Sequence, residues 1–130
     1  MNVEMELVQI IIQETTEQQI IVLRERDGNR SFPIVIGIAE ALAIDRRLKG
    51  ILPERPLTHD LLFNVINQLD GQLEQIVIND LRDHTFYARL IIRRDGRLIE
   101  IDSRPSDAIA LGAVNNMPIL VAEHVLKAVC

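Results

Sequence analysis

Thr85-Phe-Tyr-Ala-Arg-Leu-Ile-Ile-Arg-Arg-Asp-Gly-Arg-Leu-Ile-Glu-Ile-Asp-Ser-Arg-Pro-Ser-Asp-Ala-Ile-Ala-Leu111 carries the fold of this chain in one stretch. Phe86, Ala88, Leu90 and Ile92 alternate with Tyr87, Arg89 and Arg93, which is the period of a strand with one buried and one polar face. Asp95-Gly96 then supplies a hairpin turn, because glycine accepts the positive φ that tight turns need. Arg97 to Asp102 returns as a second strand, and Pro105, suited to the first turn of a helix, opens one that runs to about Asn116. Strand, turn, strand and helix in this order predict an α+β fold with a mixed or antiparallel sheet, β-hairpins and packed helices.

The rest of the chain extends the pattern. Residues 3–13 and 19–26 read as paired strands, Asp27-Gly28 as a tight turn, and Arg30 to Ile36 as a third strand. Gly37 to Lys49 reads as a helix with Arg46 and Arg47 near its negative end, and Gly50 to Arg55 breaks it. Thr58 is a suitable N-cap for the next helix, to Leu69, whose Leu61, Leu62, Val65, Ile66 and Leu69 form one apolar stripe. Leu73 to Arg82 and Pro118 to Val121 read as strands, and Glu123 to Val129 as a last amphipathic helix. Ala39-Glu-Ala-Leu-Ala-Ile44 matches Ser106-Asp-Ala-Ile-Ala-Leu111 at an offset of 107 − 40 = 67 residues, placing Glu40 and Asp107 at equivalent helix starts. A duplication would account for this, and so would chance similarity between two helices rich in small residues.

At 130 residues the chain fits one domain, 1–130, able to bury about two-thirds of the surface its unfolded form exposes. The acidic N-terminus does not resemble a secretory signal and no apolar run reaches membrane-spanning length, so neither secretion nor membrane insertion is expected. Cys130 alone builds neither a disulfide nor a cysteine zinc site, which fits a reducing cytoplasm. A formal charge of −5 opposes broad attraction to nucleic acid. The cations are nevertheless clustered, as Arg24, Arg26 and Arg30, as Arg46, Arg47 and Lys49, and as Arg89, Arg93, Arg94 and Arg97. Arginine suits bidentate contact with carboxylate or phosphate, and equally serves in surface ion pairs.

Two segments concentrate reactive groups. Asp102, Ser103, Arg104, Ser106 and Asp107 place two carboxylates, two hydroxyls and a guanidinium at a strand-to-helix junction, where one or two caps would suffice. Asp107 there is either a metal ligand or general base, or a first-turn anion that stabilises its helix by about 0.3–1 kcal/mol. Arg104 either holds a phosphate bidentately or pairs with Asp102. In Arg55-Pro-Leu-Thr-His-Asp60, His59 falls at the edge of the apolar stripe, where an imidazole still exchanges protons, and Asp60 falls on the opposite face. There is no P-loop, His-x-x-x-His pair, nucleophile elbow or dinucleotide fingerprint.

Arg55-Pro-Leu-Thr-His-Asp-Leu61, Thr85-Phe-Tyr-Ala88 and Asp102-Ser-Arg-Pro-Ser-Asp-Ala-Ile-Ala-Leu111, with Pro33-Ile-Val-Ile-Gly37 before Glu40-Ala41, resemble the signature of the bifunctional nuclease domain family over almost the whole chain. The resemblance implies an α+β fold, a wedge-shaped homodimer with a groove at its thick end, and cleavage of both RNA and DNA. The additional C-terminal UvrB/UvrC-like motif carried by some members is not found before Cys130. For phosphodiester hydrolysis, Asp107, with Asp102 or Glu40, is expected to activate water or bind a divalent cation such as magnesium, and His59 to move protons. Arg104 and Arg55 are expected to clamp the phosphate, with Ser106, Thr58, Asp60, Tyr87 and Arg89 as further substrate contacts. The competing expectation is a binding or regulatory module that uses the same Arg and Asp groove for a protein or anionic ligand.

Overall fold

The structure, a computed structural model, describes residues 1–112 and 115–130. Strands β1 (Asn2–Ile11), β2 (Gln18–Glu25) and β3 (Ser31–Gly37) form an antiparallel meander, as do β4 (Gln72–Arg82), β5 (Thr85–Arg94) and β6 (Arg97–Ser103). The short β7 (Ile119–Ala122) joins the two, antiparallel to β1 and parallel to β4, giving one mixed seven-stranded sheet in the order β3-β2-β1-β7-β4-β5-β6. Helix α1 (Ile38–Leu48) follows β3, α2 (Thr58–Gln68) precedes β4, α3 (Pro105–Gly112) follows β6, and α4 (Glu123–Val129) follows β7. The fold is therefore α+β, as expected. No helix among the described residues is long and apolar enough to cross a membrane.

Strand alternation decides which sheet face is covered. Ile76 and Ile78 of β4, Ala88, Leu90 and Ile92 of β5, and Phe32, Ile34 and Ile36 of β3 join one core cluster with buried residues of all four helices. Val77 and Ile91, which alternate with these, are buried outside that cluster. Helix α3 is the centre of the helical layer: Pro105, Ser106 and every residue from Ala108 to Gly112 are buried, and Asp107 alone reaches the surface. A Cβ on Gly112 would come within 3.2 Å of Ile76 Cγ2, so the absent side chain sets how closely α3 lies on β4. The continuation of this helix towards Asn116 expected from the sequence passes through residues 113–114, which lie outside those described.

Two local expectations are corrected. Asp95 and Gly96 do take positive φ in the β5–β6 turn, and Asp83 and His84 do the same in the β4–β5 turn without a glycine. Gly28, by contrast, has no positive φ: β2 and β3 are joined by a longer loop, residues 26–30. Glu25 closes it, accepting the Arg30 backbone N–H at 3.0 Å and Arg30 Nε at 2.7 Å, and Arg30 also pairs with Glu123 of α4 at 3.0 Å. The charge network, rather than a glycine turn, holds this hairpin. The second correction concerns α2, whose N-cap is Leu57 and not Thr58. Asp60, at the third helical position, reaches back to accept the Leu57 N–H at 3.0 Å and so satisfies the cap residue's own backbone donor, the half of a capping box that needs no cap hydroxyl.

The apolar stripe of α2 is present, but most of it is not buried. Ile66 packs on the core, whereas Leu61, Leu62, Val65 and Leu69 remain 56%, 39%, 42% and 60% exposed. The helix thus presents a row of aliphatic side chains outward from the monomer.

Candidate active site

A cleft of about 1300 Å³ opens between α1, the 49–57 connection, the start of α2 and the β6–α3 junction. Its volume exceeds the roughly 300–1,000 Å³ of ordinary small-molecule pockets. Aliphatic and proline side chains, including Leu52, Pro56 and Leu62, supply much of the wall, and the polar groups gather along α1, α2 and α3.

The polar wall is a connected chain. His59 Nε2 lies 2.9 Å from Asp107 Oδ1, and Arg104 Nε donates to Asp107 Oδ2, also at 2.9 Å. Arg104 Nη1 donates in turn to Glu40 Oε1 at 3.1 Å. Residues 48 and 64 positions apart in sequence are therefore held together by one carboxylate and one guanidinium. Local structure explains the arrangement: Asp107 is in the first turn of α3, His59 in the first turn of α2, and Glu40 in the first turn of α1, so three helix starts converge. Burial pushes the Asp107 carboxyl up, yet the hydrogen bonds from His59 and Arg104, together with their charges, outweigh this and hold it below the ordinary carboxylate range. Arg104 is held more firmly protonated, chiefly by its hydrogen bond to Asp107.

Ionisation of Asp107 has a direct consequence for His59. A carboxylate only accepts hydrogen bonds, so the Nε2 that faces Asp107 carries the proton, and in the neutral ring Nδ1 carries the free lone pair. The His59 side chain is mostly buried, which restricts its rotation.

The remaining sequence-predicted residues divide. Thr58 and Tyr87 line the cleft, and the Arg82 guanidinium lies over the Tyr87 ring at 4.8 Å. Asp60 lines it as well, but as the partner of Arg47, to whose Nη1 it is hydrogen-bonded. Asp102 reaches the rim from β6, where it stands opposite Arg89 in the strand register and does not pair with Arg104. Ser106 is buried behind Arg104, in a smaller adjoining recess. Arg89 alternates with the core residues Ala88 and Leu90 and is not on the cleft wall, and Arg55 is exposed outside it. Two residues absent from the predicted site, Arg46 and Arg47, do line it. Their position late in α1 is visible in the sequence as a helix-dipole pairing, but nothing local shows that this end of α1 faces the start of α2.

The donor set suits a guanidinium better than a divalent ion. Glu40 and Asp107, the carboxylates nearest each other in the chain of contacts, both already hold Arg104. Among the described residues no three His, Cys, Asp or Glu side chains gather closely enough to hold a metal. The cleft wall sets Arg46, Arg47 and Arg104 against Glu40, Asp60, Asp102 and Asp107, so three cations face four anions. Its field alone does not draw in a polyanion; attraction has to come from local contacts.

Comparison with known proteins agrees with this architecture. Residues 21–130 match the model of the bifunctional nuclease domain. The chain is also 42% identical over 123 residues to two Mycobacterium tuberculosis proteins, Uncharacterized protein MT1877 of strain CDC 1551 / Oshkosh and Uncharacterized protein Rv1829 of strain ATCC 25618 / H37Rv. Each alignment covers 95% of this chain and 73% of the relative. With the family model spanning most of its length, from β2 to the end of α4, this chain belongs to the bifunctional nuclease domain family.

Proposed function

We propose that this protein hydrolyses phosphodiester bonds of RNA and DNA in the α1–α2–α3 cleft. The observation that carries the reading is the His59–Asp107–Arg104–Glu40 chain on the cleft wall. Asp107 orients His59 and keeps Nδ1 free to take a proton from an attacking water as its oxygen bonds to phosphorus, while the bond to the leaving oxygen breaks and that oxygen takes a proton from solvent. Arg104, still more than half exposed, stabilises charge that develops on the phosphate oxygens, and Glu40 positions it. Arg104 already occupies both Glu40 and Asp107, so in this site a guanidinium stands where a divalent cation would otherwise meet the carboxylates.

Homodimerisation belongs to the same proposal. The outward aliphatic row of α2 is a natural surface for a second copy, since contiguous apolar patches on a soluble chain mark interaction sites. A competing reading, a binding module without turnover, draws support from the excess of carboxylates over arginines in the cleft.

The test compares wild type, Asp107→Asn and His59→Ala, each shown to be folded, for cleavage of single-stranded RNA and DNA with magnesium, manganese or EDTA. Cleavage by wild type in all three media, lost in both variants, is the expected result. Cleavage abolished by EDTA would assign a metal role that this donor set does not explain. Equal cleavage by the three proteins would move the activity elsewhere, and no cleavage by wild type would favour the binding module.

A further inference from the structure

We infer that the cleft engages two phosphate groups of one strand, the second of them at Arg46; this rests on the reading of the cleft as a nucleic-acid site. Ala39, Ala43, Arg46 and Gly50 recur at helical spacing and all line the cleft, so one face of α1 and its C-terminal continuation run along the wall. Arg104 is tied to this wall at Glu40, in the first turn of α1. Arg46 is in the last turn, six residues on, which at 1.5 Å per residue is about 9 Å away along the helix axis.

Arg46 differs from the other two cleft arginines. Arg104 holds Asp107 and Glu40, and Arg47 holds Asp60 with most of its side chain buried. Arg46 is exposed and has no carboxylate partner among the described residues. A free guanidinium is a bidentate phosphate ligand with no competing ion pair to break. Stacked nucleotides rise about 3.4 Å each along the strand's helix axis, so about 9 Å takes in at most two whole steps, fewer in an extended strand. The cleft volume, above that of a typical small-ligand pocket, accommodates such a segment. The substrate class is therefore a single-stranded oligonucleotide, in preference to a nucleotide or dinucleotide bearing one phosphate.

The test is equilibrium binding, which decides the inference whether or not the protein cleaves. Fluorescently labelled thymidine dinucleotide, with one phosphate, and tetranucleotide, with three, are titrated on ice into wild type and Arg46→Met, with probe integrity checked afterwards. Each phosphate contact on a single strand contributes about 0.7 to the log–log salt slope. From 50 to 200 mM KCl, wild type should lose about sevenfold in tetranucleotide affinity for two contacts and about 2.6-fold in dinucleotide affinity for one. Arg46→Met should lose about 2.6-fold with either probe. An Arg46→Met protein that binds the tetranucleotide with wild-type affinity and salt dependence overturns the inference, as does a wild type that treats both probes alike or binds neither. Tetranucleotide binding of the expected kind without cleavage would leave the inference standing and remove the hydrolytic reading.

Discussion

Gly37→Ala is expected to tighten the cleft's hold on an anionic ligand while slowing turnover. Gly37 is the N-cap of α1 with φ −80° and ψ 165°, a conformation open to any residue, so backbone strain does not account for the glycine. Space does. A Cβ there would overlap Glu40 Oε2 and lie 3.3 Å from Glu40 Cδ, so the carboxylate must swing away. Its other oxygen is the one that receives Arg104 Nη1. The cost to stability is small: about 0.5–1 kcal/mol for replacing glycine by alanine at an N-cap, and about 0–1 kcal/mol for an ion pair as exposed as this one. Together these correspond to a fall in Tm of a few degrees for a domain of this size.

The functional consequence has two parts. Freed from Glu40, Arg104 keeps its bond to Asp107 and gains an unoccupied Nη1 donor, while one carboxylate leaves the phosphate's vicinity. Removing about 0.5–1 kcal/mol of competition corresponds to roughly two- to fivefold tighter oligonucleotide binding. The same loss leaves Arg104 less well oriented, and turnover at saturation should fall. Glu40→Gln, which keeps the glycine, should behave alike. Fluorescence binding and single-turnover cleavage on both variants check the reasoning. Weaker binding in both would refute it, because Glu40 would then be helping the ligand rather than competing with it.

Other outcomes follow from the same contacts. Asp60→Asn removes the partner of the mostly buried Arg47 and weakens the acceptor for the Leu57 N–H, so urea denaturation should show a loss of about 2 kcal/mol. Asp107 has a folded-state pKa below its ordinary value, so its stabilising contribution is complete above the ordinary carboxylate range and disappears as pH falls through the folded value. Wild type should accordingly exceed Asp107→Asn by about 1–2 kcal/mol at pH 7, with the gap closing below about pH 4, as read from denaturant melts across that range. Leu61→Lys with Leu69→Lys changes only exposed side chains and should convert a wild-type dimer to a folded monomer in light scattering; a monomeric wild type would dismiss α2 as the interface.

Legibility in the sequence tracked the range of each interaction. The alternation of β5, the Asp95-Gly96 turn and the Pro105 helix start depend on neighbouring residues, and all three were readable. Asp27-Gly28 looked equally clear, but the Glu25–Arg30 contact overrides the dipeptide's preference. The apolar stripe of α2 could be read as helical periodicity, yet periodicity does not say whether the stripe meets the core or faces outward. Asp102 is a partner that the sequence offers Arg104, because sequence displays only nearby residues. Of the observed partners of Arg104, Asp107 is three residues on, but Glu40 is 64 residues away, and Arg47 reaches Asp60 across the break between two helices. Such pairings are set by how helices converge on the sheet, which no local pattern encodes.

That convergence follows from the repeated order of elements. Moved by 67 residues, β2, β3 and α1 become 85–92, 98–104 and 105–115, against the observed β5 at 85–94, β6 at 97–103 and α3 beginning at 105. The two hairpins occupy opposite edges of the sheet, and the helices that follow them, α1 over β2 and β3 and α3 over β4 and β5, pack against each other. Glu40 and Asp107, in matching first turns, are thereby brought towards one point. Two carboxylates meeting there without a cation would repel. The position that precedes α1 is Gly37, which leaves room for Glu40 to fold down, and the position 67 residues on is Arg104, which reaches both acids. The difference between glycine at one junction and arginine at the other turns a near-symmetric pair of helix starts into a directional site. His59, brought by α2 to Asp107 alone, completes that asymmetry and places the proton-transfer group on one side of the guanidinium.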